Sequence, residues 1–530
     1  MTATHRPIYP LGTSAEGLPC DAPSDERARP CILGATIIAS SMAFIDGTVV
    51  NVALPAIQAG FHASFAELQW IVNLYMLMLG ALLLAGGALG DQVGRRRVFL
   101  AGIALFTLAS ACCAAAPGTG TLIAARAVQG VGAALLVPQS LAIIAASFPR
   151  EVRGRAIGTW AGFSALTTAM GPALGGLLID LTSWRAAFWI NLPLAALALW
   201  LTWRYVPESR ARTREPVDWA GAATATGSLG LLTYALTMWP RADTGGLRWI
   251  ACAAVGGILL LGAFVAVERR VAAPMMPPSL LADRAFAGLN AMTLLLYAAL
   301  GGTLFLLPYD LIQAQGYSAT EAGLSLLPLG ITIGLLSRFS GRISDRIGPR
   351  LQLVAGPTLV AAGCVGLAVP GVDGAHPATF LAPLVVLALG MATTVSPLTT
   401  AIMNTVDEDR SGAASGVNNA ASRIAGLLAV AGIGAIATAV FASVLRDALG
   451  GLALPDDARA MLLANADRLA ELAPSSATPA ALAGAVTGAI HAAFAEAFRV
   501  AALVNAACAA AAAAIAAAVV RSARTGSGRG

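Results

Sequence analysis

The sequence predicts an all-α polytopic membrane protein with fourteen transmembrane helices, arranged as two six-helix bundles plus two inserted helices. Three observations predict it. The 530 residues are 57% hydrophobic and 12% charged, with a mean hydropathy of +0.74, which leaves too little polar surface to coat a soluble globule of this size. Apolar runs of about 18 residues or more recur along the whole chain, each long enough to cross a ~30 Å hydrocarbon core at ~1.5 Å per helical residue. Finally, GDQVGRRR (Gly90 to Arg97) recurs as SDRIGPR (Ser344 to Arg350), so that Asp91, Gly94 and Arg96 match Asp345, Gly348 and Arg350 at one constant offset of 254 residues.

Taken in order, residues 1–30 carry Pro, Ser, Asp and Arg without an apolar core, and read as a disordered cytoplasmic tail, not a signal peptide. The first bundle occupies 31–205, with spans near 31–55, 68–89, 97–116, 121–146, 155–180 and 185–205. Residues 206–284 supply linkers and two inserted spans, 218–239 and 248–267; PESRARTREPVDWAG is the most charged linker, and the Pro-rich ERRVAAPMMPPSLLADR is expected along the membrane surface. The second bundle, 285–520, has spans near 286–309, 320–340, 351–370, 378–403, 412–442 and 490–520. Its long external loop, about 446–487, alternates Ala and Leu with Asp, Glu and Arg, and is expected to be partly helical and amphipathic, or else disordered. Residues 521–530 read as a cytoplasmic tail.

All 33 basic residues are Arg. With the N-terminus cytoplasmic, the inward tails and loops hold 24 of them and the outward ones 7, with Arg126 and Arg423 inside spans. That asymmetry puts both termini in the cytoplasm. Without Lys, a GxxxxGK[ST] phosphate loop cannot exist, which excludes nucleotide-driven transport by this chain alone. The net charge of +5 sits in short loops, so no nucleic-acid partner is implied. The seven Cys include no CxxC pair and the four His lie far apart, so neither a disulfide framework nor a metal site is expected.

Four groups of residues can carry chemistry. Asp46 is the only acid between Arg29 and Gln58 and falls near the middle of the first span, where an acid is a functional candidate by default. The same 254-residue offset lands on Leu300, so a proton site would be lopsided toward the first half. Gly90, Asp91, Gly94, Arg95, Arg96 and Arg97, with Asp345, Gly348 and Arg350 in the repeat, form hinged charged turns whose ion pairs can exist in one conformer and break in another, as a conformational latch does. Gly162, Gly171, Pro172, Gly175 and Gly176 give the fifth span a small face for close helix approach. Asn51, Tyr75, Trp160, Phe163, Tyr297 and Asp310, with Tyr234, are candidates for a cavity in which rings hold a lipophilic cation. Asp310 is open to a second reading as a solvated helix end. Arg126 either snorkels to the surface or faces the interior, and Arg423 is read as snorkelling to the inward surface in preference to an interior role.

GDQVGRRR resembles the loop signature between the second and third helices of the major facilitator superfamily. FIDGTVVNVALP (Phe44 to Pro55) is similar to the first-helix motif of its fourteen-helix drug:proton antiporter branch, the EmrB/QacA type. RAVQGVGAA (Arg126 to Ala134), GFSALTTAMGPALGG (Gly162 to Gly176) and WRAAFWINLP (Trp184 to Pro193) resemble the fourth-, fifth- and sixth-helix motifs of the same branch. The resemblance implies the major-facilitator fold in a bacterial inner membrane, with Arg126 facing inward beside Asp46 as a proton-coupling pair. It further implies proton-driven efflux of a small amphipathic drug or secondary metabolite by alternating access, in contact with lipid and protons and without a cofactor. With the cavity open outward Asp46 would take a proton; with it open inward the proton would leave and the carboxylate would favour a substrate. A proton-coupled importer is disfavoured by the fifth-helix motif, and no GxSxG, HExxH or receiver-like segment supports an enzyme or sensor.

Overall fold

The computed structural model describes residues 26–211, 216–241, 246–271, 274–370, 377–407, 411–474 and 477–520, and they are all-α. The readings made for 1–25 and 521–530 lie outside the described residues. The helices of the first half are α1 (Arg29–Phe61), α2 (Phe65–Val93), α3 (Arg95–Ala114), α4 (Thr119–Ser147), α5 (Arg150–Leu181), α6 (Ala186–Trp189) and α7 (Asn191–Tyr205). The inserted pair is α8 (Trp219–Met238) and α9 (Gly246–Glu268), followed by the short α10 (Pro278–Ala282). The second half comprises α11 (Arg284–Gln313), α12 (Ala319–Ser325), α13 (Leu327–Ile347), α14 (Pro349–Leu367), α15 (Pro377–Met403), α16 (Ser411–Gly450), α17 (Asp456–Ala464) and α18 (Ala480–Val519).

Local chemistry sets the ends of these helices. Ser64 accepts from the Glu67 N–H while the Glu67 carboxylate accepts from the Ser64 N–H, a reciprocal cap that starts α2. Gly94 (φ 128°) and Gly348 (φ 81°) turn the chain between α2 and α3 and between α13 and α14. Both have the positive φ that favours glycine, which is why the repeated motif keeps Gly there. Pro328 lacks the N–H that would continue the helix, and α12 and α13 part at Leu326. Thirteen described helices are long and apolar enough to cross a membrane, with α6 and α7 together forming one span and α12 continuing into α13 as another. The fourteenth, α8, has 20 residues, enough for ~30 Å, but its Thr, Ser and Gly dilute its hydropathy.

One boundary differs from expectation. Helix α18 begins at Ala480, ten residues before the apolar run that marks its span, because an Ala-rich sequence stays helical beyond the bilayer. The external loop is partly helical: α17 and a 3₁₀ turn (Ala466–Glu471) fold back over the bundle, and Leu469 (φ 52°) is fully buried there. Gln58 Nε2 of α1 donates to the Arg468 carbonyl of this cap at 3.1 Å.

Helices α2 and α3 pack on α4, and α1 packs on α5 and α7, to make the first bundle; α14 on α15 and α18, with α11 on α16 and α18, make the second. The inserted pair packs on itself and leans through α8 on α2 and α16. The turns at Gly94 and Gly348 lie on the arginine-rich face of the molecule. At the opposite face the halves interlock: a Cβ on Gly176 would collide with the Ala319 carbonyl, one on Gly323 with Pro172, and one on Gly330 with Ala169. Asp180 Oδ2 accepts from the Thr320 N–H at 2.8 Å, so α5 caps the start of α12 across the seam. Toward the arginine-rich face the halves part. Along α5 from Arg150 to Thr168 only Ala156 is buried, and Gly154, Gly158, Gly162 and Gly334 have no neighbour within 4 Å of an added Cβ. The space between the bundles therefore opens to the arginine-rich face.

Candidate functional site

Asp46 lies near the middle of α1 and is completely buried. A bare carboxylate there would be untenable, and its partners come from two other helices, α4 and the start of α7. Arg126 Nη1 of α4 donates to Asp46 Oδ2 in an ion pair whose two side chains are 0% and 1% exposed. Gln129 Nε2, one turn beyond Arg126, donates to Asp46 Oδ1 at 2.8 Å, and Asn191 Nδ2 at the start of α7 donates to the same oxygen at 3.3 Å. Asn191 Nδ2 also donates to Ser110 Oγ at 3.0 Å, which donates to the Phe188 carbonyl at 2.9 Å. Arg126 is held in turn by the Ile71 carbonyl, which accepts from Nε at 3.2 Å, and by Gln129 Oε1, which accepts from Nη1 at 2.6 Å. Its guanidinium stacks 4.1 Å from the centre of the Tyr75 ring, and the Tyr75 hydroxyl donates to the Ala43 carbonyl at 3.1 Å.

Arg126 thus faces the interior and does not snorkel. The carboxylate is not free to receive a substrate in this conformation, because the first bundle's own side chains satisfy both oxygens. Gln129 and Asn191 were missed as individual residues although each lies within a quoted motif. The readable signal was a Gln three residues after an intramembrane Arg, hence on the same helix face.

Of the cavity candidates, Trp160 and Tyr297 approach the space between the halves. Trp160 Nε1 donates to Ser40 Oγ at 3.0 Å and its ring meets Phe44 edge-on at 6.3 Å. Tyr297, on α11, is partly exposed. Phe163, one turn along α5 from Trp160, is 47% exposed. Tyr75 is buried as the wall between Arg126 and that space. Asn51 lies further along α1 with a buried Oδ1 that has no partner. Tyr234 belongs to another place, facing α9 with Trp249 and Cys252. Asp310 is no solvated helix end: it is 1% exposed at the closed face, and its Oδ2 has no hydrogen-bond partner. Arg423 also departs from expectation. It does not reach the inward surface but projects beside Phe44, 6.0 Å from the ring centre, with its Cβ 3.2 Å from where a Cβ on Gly80 would stand.

At the arginine-rich face, Asp91 Oδ1 pairs with Arg95 Nη2 at 2.8 Å, and the Asp91 carbonyl accepts from the Ala211 N–H at 3.2 Å. Arg96 Nη2 donates to the Trp203 carbonyl in the last turn of α7 at 2.6 Å. Arg350 Nη2 donates to the Ala517 carbonyl in the last turn of α18 at 3.4 Å, the same bond in the repeated half. The side chain of Asp345 lies outside the described residues. Glu208, from the charged linker, was not foreseen: it accepts from the Arg96 N–H at 3.1 Å, faces Arg97 Nε at 3.7 Å, and caps α3. On α5, Gly171 and Gly175 press on Thr48 and Val49 of α1, and Gly176 and Pro172 on α12, whereas Gly162 meets nothing, because the halves have parted at its level.

A family model described as Major Facilitator Superfamily matches residues 36–430. The chain is 35% identical over 444 residues to the multidrug resistance protein Stp of Mycobacterium tuberculosis, covering 83% of this chain and 81% of that protein. It is 35% identical to the puromycin resistance protein pur8 of Streptomyces alboniger (82% and 86% covered) and 32% identical to the tetracenomycin C resistance and export protein of Streptomyces glaucescens (86% and 83%). Among solved structures, an inward-facing, unoccupied bacterial homolog to the human lysosomal transporter Spinster superposes with a TM-score of 0.66 at 18% identity, covering 93% of this chain and 98% of that one, a likeness of fold.

Proposed function

We propose that this chain, which belongs to the Major Facilitator Superfamily, exports small amphipathic compounds in exchange for protons by alternating access. It is a multi-pass transporter of a bacterial membrane and not an enzyme. The relatives named for drug resistance and export support the efflux direction. The arginine asymmetry supports a cytoplasmic position for the arginine-rich face and both termini, so the conformation described here is open inward.

The observation that carries the coupling is the closed network of Asp46, Arg126, Gln129 and Asn191 inside the first bundle. Paired with Arg126, Asp46 is in its ionised, proton-released form, and the pair is neutral as a unit. A proton arriving from outside would discharge the carboxylate, release Arg126 from it, and change which arrangement of α1, α4 and α7 is lowest in energy. Substrate leaves in that outward-open arrangement, and loss of the proton to the cytoplasm returns the network to the form described. A proton moving down ~100 mV releases ~2.3 kcal/mol, and each pH unit adds ~1.4 kcal/mol, so no cofactor is needed. The Gly90 to Arg97 and Asp345 to Arg350 turns act as latches: their bonds to the ends of α7 and α18 are made in this conformation and break in the other.

Efflux from proteoliposomes under an imposed pH gradient tests this reading. Wild-type protein is expected to accelerate dye efflux, a protonophore to abolish the acceleration, and Asp46→Asn to lose it while still folding and inserting, at a melting temperature lowered because Arg126 is left unpaired. Full gradient-driven efflux by Asp46→Asn would refute the assignment.

A further inference from the structure

Arg423 stands twelve residues into α16, ~18 Å from its arginine-rich end, among residues drawn from both halves. Its guanidinium lies over Phe44 of α1, and its Cβ stands against Gly80 of α2. Among the described residues it has no carboxylate partner, unlike Arg126. Burying a guanidinium without an anion is costly, and the positive charge is retained only where it serves a purpose or water reaches it. Arg423 is partly exposed to the space between the bundles, as are Phe44, Trp160 and Tyr297.

The charges at the centre decide what this place can bind. Asp46 and Arg126 cancel, so Arg423 leaves the middle of the molecule with one net positive charge, or two when Asp46 carries a proton. Asp310, a buried acid on α11, is thirteen residues and ~20 Å along that helix from Tyr297, sealed at the closed face. A cation entering the cavity meets repulsion in both protonation states. An anion meets an open fork of N–H donors framed by aromatic rings.

We propose that Arg423 is the substrate-recognition cation of the central cavity, and that it selects aromatic compounds bearing an anionic oxygen, a carboxylate or a phenolate, which stack on Phe44, Trp160 and Tyr297. This rests on the export reading above and names its substrate class. Because the cluster takes residues from both halves, the rocking that follows protonation of Asp46 pulls its geometry apart, so proton and substrate are coupled through conformation without competing for the same atoms. Tyr75, stacked on Arg126, stands on the same helix α2 as Gly80, against which Arg423 packs, and so links the two sites.

The test uses two xanthene dyes of one ring system and opposite charge, carboxyfluorescein and cationic rhodamine 6G, with binding to the purified full chain read by fluorescence anisotropy. Wild-type protein is expected to bind the anion at least about tenfold more tightly than the cation. Arg423→Gln should lose about that factor for the anion and leave the cation within about twofold, and Arg423→Lys should recover part of the loss. Equal or tighter binding of the cation by wild-type protein, or undiminished anion binding by Arg423→Gln at wild-type melting temperature, overturns the proposal. Gradient-driven efflux separates it from the export reading. Cation export without anion binding sinks the Arg423 site alone, and Arg423-dependent anion binding without gradient-driven movement supports the site and sinks the export reading.

Discussion

Removing the Arg126 guanidinium would strand the Asp46 carboxylate at the centre of the first bundle with only Gln129 and Asn191 to face it. Breaking a buried pair from one side costs about 3–5 kcal/mol, because the surviving charge stays desolvated. Arg126→Ala is therefore expected to lower the thermal unfolding midpoint of the detergent-solubilised protein clearly. Arg126→Gln combined with Asp46→Asn is expected to recover most of that loss, since neither residue then carries a charge. An Arg126→Ala variant as stable as wild type would mean that Asp46 is not ionised in this conformation. The prominence of Asp46 was legible in the sequence because a lone acid in a long apolar run has few structural explanations. Its exact partners were less so: the Arg126 to Asp46 contact joins residues 80 apart in sequence, and Gln129, on the same helix face as Arg126, was missed.

At the scale of the element, each half carries a Gly turn and an Arg that reaches the last turn of its own final helix, Arg96 to Trp203 and Arg350 to Ala517. Those bonds tie the start of α3 to the end of α7, and the start of α14 to the end of α18, in the conformation described here. Arg96→Ala is expected to slow substrate turnover about tenfold or more with substrate affinity within about twofold, measured as efflux rate and equilibrium dye binding on the same preparation. Loss of affinity with normal turnover would place Arg96 in recognition instead. The repeat disclosed this symmetry, but it could not disclose Glu208. That residue comes from a linker with no counterpart in the repeat and completes the turn only once the chain has folded back on α3. The five small residues of α5 divide in the same way: four sit where helices touch, and Gly162 sits where they have separated, a distinction of conformational state that no sequence spacing encodes.

At the scale of the whole molecule, the bilayer itself made the architecture readable, since hydrocarbon thickness fixes how long each apolar run must be. What the runs left open was rotation about each helix axis. Arg423 was misjudged for that reason: its distance from the end of α16 was compatible with snorkelling, while its azimuth turns it toward Phe44 and the shared cavity. Of the two readings of Asp310, the solvated helix end fails for the same reason, since the residue stands near a helix end yet is covered by the closed face. The account as a whole depends on one carboxylate whose proton leaves in the inward-open state. The most direct measurement is the proton count in weakly buffered detergent solution when a saturating exported compound is added to purified protein equilibrated at a pH where Asp46 is partly protonated. Wild-type protein is expected to release a fraction of a proton per molecule, rising toward one as the starting pH falls, and Asp46→Asn is expected to release none. Equal release by the two proteins would contradict the account.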